Sequence, residues 1–266
     1  MVTHPVIPVV PVTPVIITRP LVQAMAFANQ VAAIGRSAEI FPLLDIQALA
    51  DTTALDETLS KLSDFALVAF VSPNAVHAVF SRIQHWPANL AIAVMGAGSR
   101  AALAEHGIAD ANASIISPIN PERTDSETLL EVLNFSALDG REVLIVRGES
   151  GREFLADALR SHGISVTQIA AYQRVAPEFT VQRQQNLKLM LERENDWIVT
   201  SSEALKNLFS WAKKLDLDNA VAKMQRQHIF VSHARIEETA KILGFQFITL
   251  TGSGDESLLV ALQSHL

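Results

Sequence analysis

The chain repeats itself at a displacement of about 130 residues, and this repeat restricts the possible folds more than any other feature of the sequence. Val15-Ile16-Ile17-Thr18-Arg19 resembles Val143-Leu144-Ile145-Val146-Arg147, and Phe70 to Val76 lines up with Val199 to Leu205. Further along, Ala91 to Gly107 matches Ile229 to Gly244, and Asp125 to Leu130 echoes Asp255 to Leu259. Successive matches in one order at one displacement mark a duplicated supersecondary plan. The chain therefore reads as two similar halves.

Each half alternates a short apolar run, a turn of small or polar residues and an amphipathic helix, which is the pattern of parallel α/β units. The expected strands are Val15–Thr18, Ala66–Val71, Ala91–Met95, Ser114–Ser117, Glu142–Arg147, Trp197–Thr200, Gln227–Val231 and Gln246–Leu250. Pro20 near the start of the first helix and Gly35 just past its end give the asymmetry expected of helix termini. Two longer extended stretches interrupt the rhythm, Ala38 to Leu49 and Ile164 to Ala176. They are expected to be hinge strands between two lobes, so that the chain crosses twice and one lobe is discontinuous.

Composition narrows the function. Among 266 residues there is no cysteine, which excludes disulfides, thiolate metal sites and a thiol nucleophile and fits a reducing compartment. A formal charge of -7 argues against nucleic acid or an anionic membrane as partner. Hydrophobic residues make up 49% of the chain, yet the apolar runs, such as Ala66 to Val71, end at strand length and none could span a bilayer. Residues 1–14, with Pro5, Pro8, Pro11 and Pro14 at every third position, read as an extended arm that a polyproline-binding partner could recognise.

Several residues at strand ends could carry chemistry. Met95-Gly96-Ala97-Gly98-Ser99-Arg100-Ala101 fits a dinucleotide fingerprint, but the acidic residue expected about 20 positions later is missing, which leaves a plain strand-to-helix turn as the alternative. Thr18, Ser72, Asn74, Ser99, Ser201, Ser202 and Ser232 gather after strands. Singly each is a helix cap; together they line the end of a parallel sheet where ligands bind and helix N-termini offer donors to anions. Arg19 and Arg147 stand at equivalent strand ends with Arg152 close by, and guanidinium forks suit carboxylates and phosphates. The eight histidines show no metal-ligand spacing. Tyr172, the single tyrosine, lies in the second hinge stretch, where it is either a proton donor or an amphipathic strand residue.

Taken together, the ordered motifs resemble the uroporphyrinogen-III synthase family from about Val15 to Leu266. They are Thr18-Arg19-Pro20, Pro42-Leu43-Leu44, Val71-Ser72-Pro73-Asn74-Ala75-Val76, Met95-Gly96-Ala97-Gly98-Ser99, Asp125 to Leu130, Arg147-Gly148-Glu149-Ser150-Gly151-Arg152-Glu153, Ala171-Tyr172-Gln173-Arg174 and Val199-Thr200-Ser201-Ser202. The resemblance implies two flavodoxin-like parallel-sheet lobes joined by two hinge β-strands, with the active site in the cleft between them. It assigns residues 15–40 with 178–266 to one lobe and 41–177 to the other. It also implies a cofactor-free lyase that cyclises hydroxymethylbilane with inversion of the terminal pyrrole, a cytoplasmic monomer to which hydroxymethylbilane synthase could hand the substrate. Tyr172 is then the expected catalytic residue. Thr18, Arg19, Ser72, Asn74, Ser99, Arg147, Gly148, Arg152, Ser201, Ser202 and Ser232 are the expected substrate-binding set, with no metal. Three departures stand out: Ser99 where the family often has Thr, Pro73 in place of a small residue, and the N-terminal arm. A bilobal solute-binding protein and a dinucleotide enzyme are the competing readings.

Overall fold

Short apolar runs, most of three or four residues, form the majority of the strands, and most strands are buried on both faces, as parallel sheets require. The computed structural model describes residues 13–119 and 126–265; most of the proline-rich arm and Asp125 of the acidic motif lie outside them. The chain divides into two units, one made of the described residues up to Asp45 together with Ala176 onward, the other of Ile46–Val175.

In chain order the first unit opens with β1 (Val15–Ile17), α1 (Leu21–Ala33) and β2 (Ala38–Ile40). Next come β3 (Asp45–Gln47), α2 (Thr53–Leu59), β4 (Leu67–Phe70), α3 (Pro73–Phe80), β5 (Ala91–Val94), α4 (Ala97–Glu105), β6 (Ile115–Ile116), α5 (Ser126–Leu130), α6 (Phe135–Leu138), β7 (Glu142–Gly148), α7 (Phe154–Ser161) and β8 (Ser165–Val175). The chain then returns to the first unit with α8 (Val181–Leu191), β9 (Asp196–Val199), α9 (Ser202–Lys214), α10 (Ala220–Gln225), β10 (His228–Val231), α11 (Ala234–Ile242), β11 (Phe247–Leu250) and α12 (Asp255–Ser264).

The first sheet has the order β11-β10-β9-β1-β2 and the second β3-β8-β7-β4-β5-β6. Reading β1, β2, β9, β10 and β11 as strands one to five, the first sheet is the flavodoxin-like order, and its registered pairs are all parallel. The second sheet repeats that order with β7, β8, β4, β5 and β6, plus β3 at its edge. The sequence halves and the spatial units are thus different objects. The first half supplies β1 and β2 to one unit and β4 to β6 to the other, and the second half does the reverse.

Side chains alternate across each sheet. In the first, Ile16, Trp197, Val199, Ile229 and Val231 pack on one face while Val15, Ile17, Ile198 and Phe230 pack on the other. In the second, Val68, Phe70, Leu144 and Val146 oppose Leu67, Ala69, Val143 and Ile145. The stretch Ala38 to Leu49, expected as one hinge strand, is instead two short strands. Pro42 breaks it because a proline cannot donate to a ladder. The turn between them is held in the first unit by Arg183 Nη1 donating to the Pro42 carbonyl (2.9 Å) and Asn207 to the Leu43 carbonyl (2.9 Å). The second stretch is the single strand β8. Among the described residues no helix is long and apolar enough to cross a membrane.

Candidate functional site

Ligands of open parallel sheets bind beyond the carboxyl ends of the strands, near the point where strand order reverses. That point lies between β7 and β4 in the second unit and between β1 and β9 in the first. The residues singled out from the sequence sit at these ends, but their side chains are engaged in different ways.

Tyr172 is placed by an irregularity in pairing. Arg147 pairs with Ala170 but Gly148 pairs with Tyr172, so one extra residue enters β8 as a bulge. Ala171 and Tyr172, adjacent in sequence, consequently pack into the same core cluster. The phenol ring is 4% exposed, and its hydroxyl lies 3.0 Å from Ser72 Oγ. Ser72 is the N-cap of α3, with Pro73 at the first helical position, and its Oγ accepts from the Ala75 N–H (3.2 Å). Gly148 leaves room for the ring. Beside Tyr172 opens a cavity of about 340 Å³, also lined by Gln47, Asn74, His77 and Arg82.

The arginines of this unit are less free than the sequence suggests. Arg147 is nearly buried, pairs with Glu153 and donates to Gln168 Oε1 (2.7 Å). The Glu153 carboxyl is held below the ordinary carboxylate range by the Gln168 side chain first and by Arg147 second. Arg152 pairs with Glu127 and lies over the Phe154 ring at 5.2 Å. Neither Glu153 nor Gln168 was singled out in the sequence, since nothing local marks a residue that orients an arginine.

In the first unit, Thr18 Oγ1 donates to the Ile198 carbonyl (2.7 Å), which clamps β1 to β9. Arg19 pairs with Asp255 at 2.6 Å and stacks over Phe27. Ser201 caps α9 by accepting from the Glu203 N–H (3.2 Å), whereas Ser202 Oγ accepts from Thr239 Oγ1 (3.0 Å). Ser232 is buried just after β10. In the second unit, Ser99 is buried in the first turn of α4. Gly96 is the N-cap of that helix at the end of a strand-to-helix connection, and a β-carbon on Gly98 in the first turn would meet Pro73 Cγ at 3.5 Å. Arg100 is tied to Asp110 (2.5 Å) and Ser117 (3.1 Å).

One cluster with metal-ligand chemistry went unanticipated because its members are far apart in sequence. Asp196, His228 and His265 bring potential ligand atoms within 4.8 Å of one another. It lies at the amino ends of β9 and β10, and the buried Asp196 carboxylate already holds Arg36 at 2.5 Å. A cation there would compete with a guanidinium in place, so the cluster is read as structural.

A family model described as uroporphyrinogen-III synthase HemD matches residues 25–251. The chain belongs to the uroporphyrinogen-III synthase family. The uroporphyrinogen-III synthase of Salmonella typhimurium strain LT2 is 28% identical over 253 residues, covering 93% of this chain and 99% of the relative. That of Escherichia coli strain K12 is 27% identical over 259 residues, with the same coverage of each. The crystal structure of a mutant uroporphyrinogen III synthase from the extremely thermophilic bacterium Thermus thermophilus superposes with a TM-score of 0.55 at 14% identity, over 95% of this chain and 98% of that one. The Helicobacter pylori 26695 enzyme gives 0.55 at 15% identity, over 95% and 99%. At such identities the structures establish the shared uroporphyrinogen-III synthase fold, and the family match comes from the sequence.

Proposed function

We propose that this protein is a uroporphyrinogen-III synthase that converts hydroxymethylbilane to uroporphyrinogen III without a cofactor. The observation that carries the proposal is the family match over residues 25–251, in a chain whose Tyr172 and Ser72 hydroxyls meet at 3.0 Å at a sheet's carboxyl end. In the reaction the linear substrate loses its hydroxyl as water, inverts the terminal pyrrole through a spiro intermediate and closes. Closure without inversion occurs spontaneously, so the protein's task is chiefly to hold the conformation in which the inverted closure is faster. Positioning of this kind can supply roughly 7–11 kcal/mol.

The hydrogen bonds around Tyr172 suit it to deliver the one proton the departure needs. The Ala75 N–H donates to Ser72 Oγ, which lies 3.0 Å from the phenolic oxygen; in the proposed step Ser72 is the donor of that pair, so that the phenol proton is directed to the leaving hydroxyl. Negative charge developing on that oxygen faces the N-terminus of α3, where the helix dipole favours it. The phenol recovers its proton when the closing pyrrole carbon releases one.

The substrate carries eight carboxylates, which a chain of net charge -7 repels at long range, so local donors must hold them. Asn74 and Ser99 near the starts of α3 and α4, Ser201, Ser202 and Ser232 around α9 and α11, and Thr18, Arg19, Arg147, Gly148 and Arg152 are proposed to do so. Backbone N–H groups there carry much of the task, since Arg19, Arg147 and Arg152 already have carboxylate partners. The lobes are proposed to divide at residues 40/41 and 177/178. The protein is further proposed to act as a cytoplasmic monomer receiving substrate from hydroxymethylbilane synthase. The absence of cysteine supports a reducing compartment.

The decisive experiment supplies freshly generated hydroxymethylbilane to the purified protein and separates the oxidised products by isomer. A dominant type III isomer without added cofactor is expected. Type I alone at the spontaneous rate would overturn the proposal.

A further inference from the structure

We propose that Arg174 is a carboxylate-binding residue, the one arginine at the β7–β8 end that a substrate can engage without first breaking an ion pair. The inference rests on the tetrapyrrole reading above, because it supplies a polycarboxylate ligand.

Three arginines gather around the loop from Gly148 to Glu153, and their partners differ. Arg147 pairs with Glu153, and Arg152 with Glu127. Arg174 makes no ion pair with a carboxylate among the described residues. Its Nη2 donates to the Ser150 carbonyl (2.7 Å), and its Nε–H is buried with no acceptor. A guanidinium so placed has donors left over and no carboxylate beside it among the described residues, in contrast to its two neighbours.

The loop brings this free charge beside the paired one. A β-carbon built on Gly151 would stand 3.0 Å from Arg147 Nη2 and 3.6 Å from Arg174 Nη2, so both guanidiniums lean on the same spot of backbone. Gly151 has φ +157, and any side chain there would push against Arg147. Two cations held this close repel each other, and Glu153 offsets only the charge of Arg147. An anion arriving at Arg174 relieves that repulsion and gains the donors not spent on Ser150.

The position suits the proposed chemistry. Arg174 follows Tyr172 by two residues on β8, hence on the same side of the strand, one pleat repeat of roughly 7 Å along the backbone. The ligand class is a flexible alkyl carboxylate, and the guanidinium fork sets its distance from the proton donor.

Two readouts test this on the whole protein. The first is the melting temperature in citrate against sodium chloride of equal ionic strength, for the wild type, Arg174→Gln and Arg174→Lys. Citrate is expected to raise the melting temperature of the wild type, and Arg174→Gln to remove about half of the rise or more. The second is steady-state kinetics with hydroxymethylbilane. KM is expected to rise about tenfold in Arg174→Gln with kcat within about twofold, and Arg174→Lys to recover part of the loss by charge alone.

An unchanged citrate effect together with an unchanged KM would overturn the inference. So would a lower melting temperature in plain buffer with KM unchanged, which would leave Arg174 as an anchor for Ser150. If the wild type yields no type III isomer, the functional reading fails, and the citrate comparison still decides whether Arg174 binds carboxylates.

Discussion

Gly148 lies against the face of Tyr172: a β-carbon built on it would stand 3.0 Å from both Cε2 and Cζ and 3.2 Å from the hydroxyl. The β7–β8 bulge sets this approach, and the phenol hydroxyl lies 3.0 Å from Ser72 Oγ. Gly148→Ala should therefore shift the ring by a few tenths of an ångström rather than unfold the chain. The expected cost is about 1–3 kcal/mol of stability from overpacking. Turnover to the type III isomer should fall by about tenfold or more, since small displacements of positioned groups are costly. A wild-type rate would show that the ring position does not matter.

Tyr172→Phe removes only the hydroxyl and keeps the packing. Type III formation should fall by about 10²-fold or more, the usual worth of a positioned proton donor, with the melting temperature little changed. Ser72→Ala removes both the cap and the partner of the phenol, so it should lose rate and also about 0.5–2 kcal/mol of stability. Urea melts alongside the isomer assay separate the two effects. Full rate and isomer purity in Tyr172→Phe would end the proton-donor assignment.

The serines after β9 should behave differently from each other. Ser201 holds the cap of α9, so Ser201→Ala should cost about 1 kcal/mol in thermal or urea unfolding. Ser202, expected from the sequence to be a cap, instead accepts from Thr239, and Ser202→Ala should be nearly neutral in stability. A change of KM in Ser202→Ala would then report substrate contact.

The amino-end cluster of the first unit should govern stability and its pH dependence. Asp196→Asn leaves Arg36 buried without its counter-charge, for an expected loss of about 3–5 kcal/mol. His228 has its pKa pulled below the ordinary 6.5, by burial first and then by the charge of His265, with Asp196 opposing. The unfolded chain therefore takes up that proton more readily than the folded one. The stabilisation is complete above 6.5 and is lost as pH falls from there toward the lower folded value. Melting temperatures recorded across this range should fall less steeply in His228→Gln than in the wild type.

Much of the architecture can be read from local pattern. The β-strand and helix order follows from runs such as Val143 to Val146 set between turn residues and amphipathic stretches. The positions of Ser72, Arg147 and Ser201 at strand ends follow as well, because capping and strand length are properties of a few neighbouring residues. The role of each side chain was harder to read. The sequence marks Arg152 for its charge but not Glu127 as its ion-pair partner, and Ser202 looks like a cap until Ser201 and Thr239 are placed.

The sequence by itself determined a duplicated parallel α/β chain, most of its strands and its family, since these depend on periodicity and on ordered motifs along the chain. Tertiary structure alone decided that one hinge stretch breaks at Pro42 and that Tyr172 meets Ser72 across 100 positions of sequence. Those outcomes rest on strand register and on one bulged residue. A shift of one residue in pairing turns a side chain to the opposite face of a sheet, and register is set by the long-range packing of the whole unit.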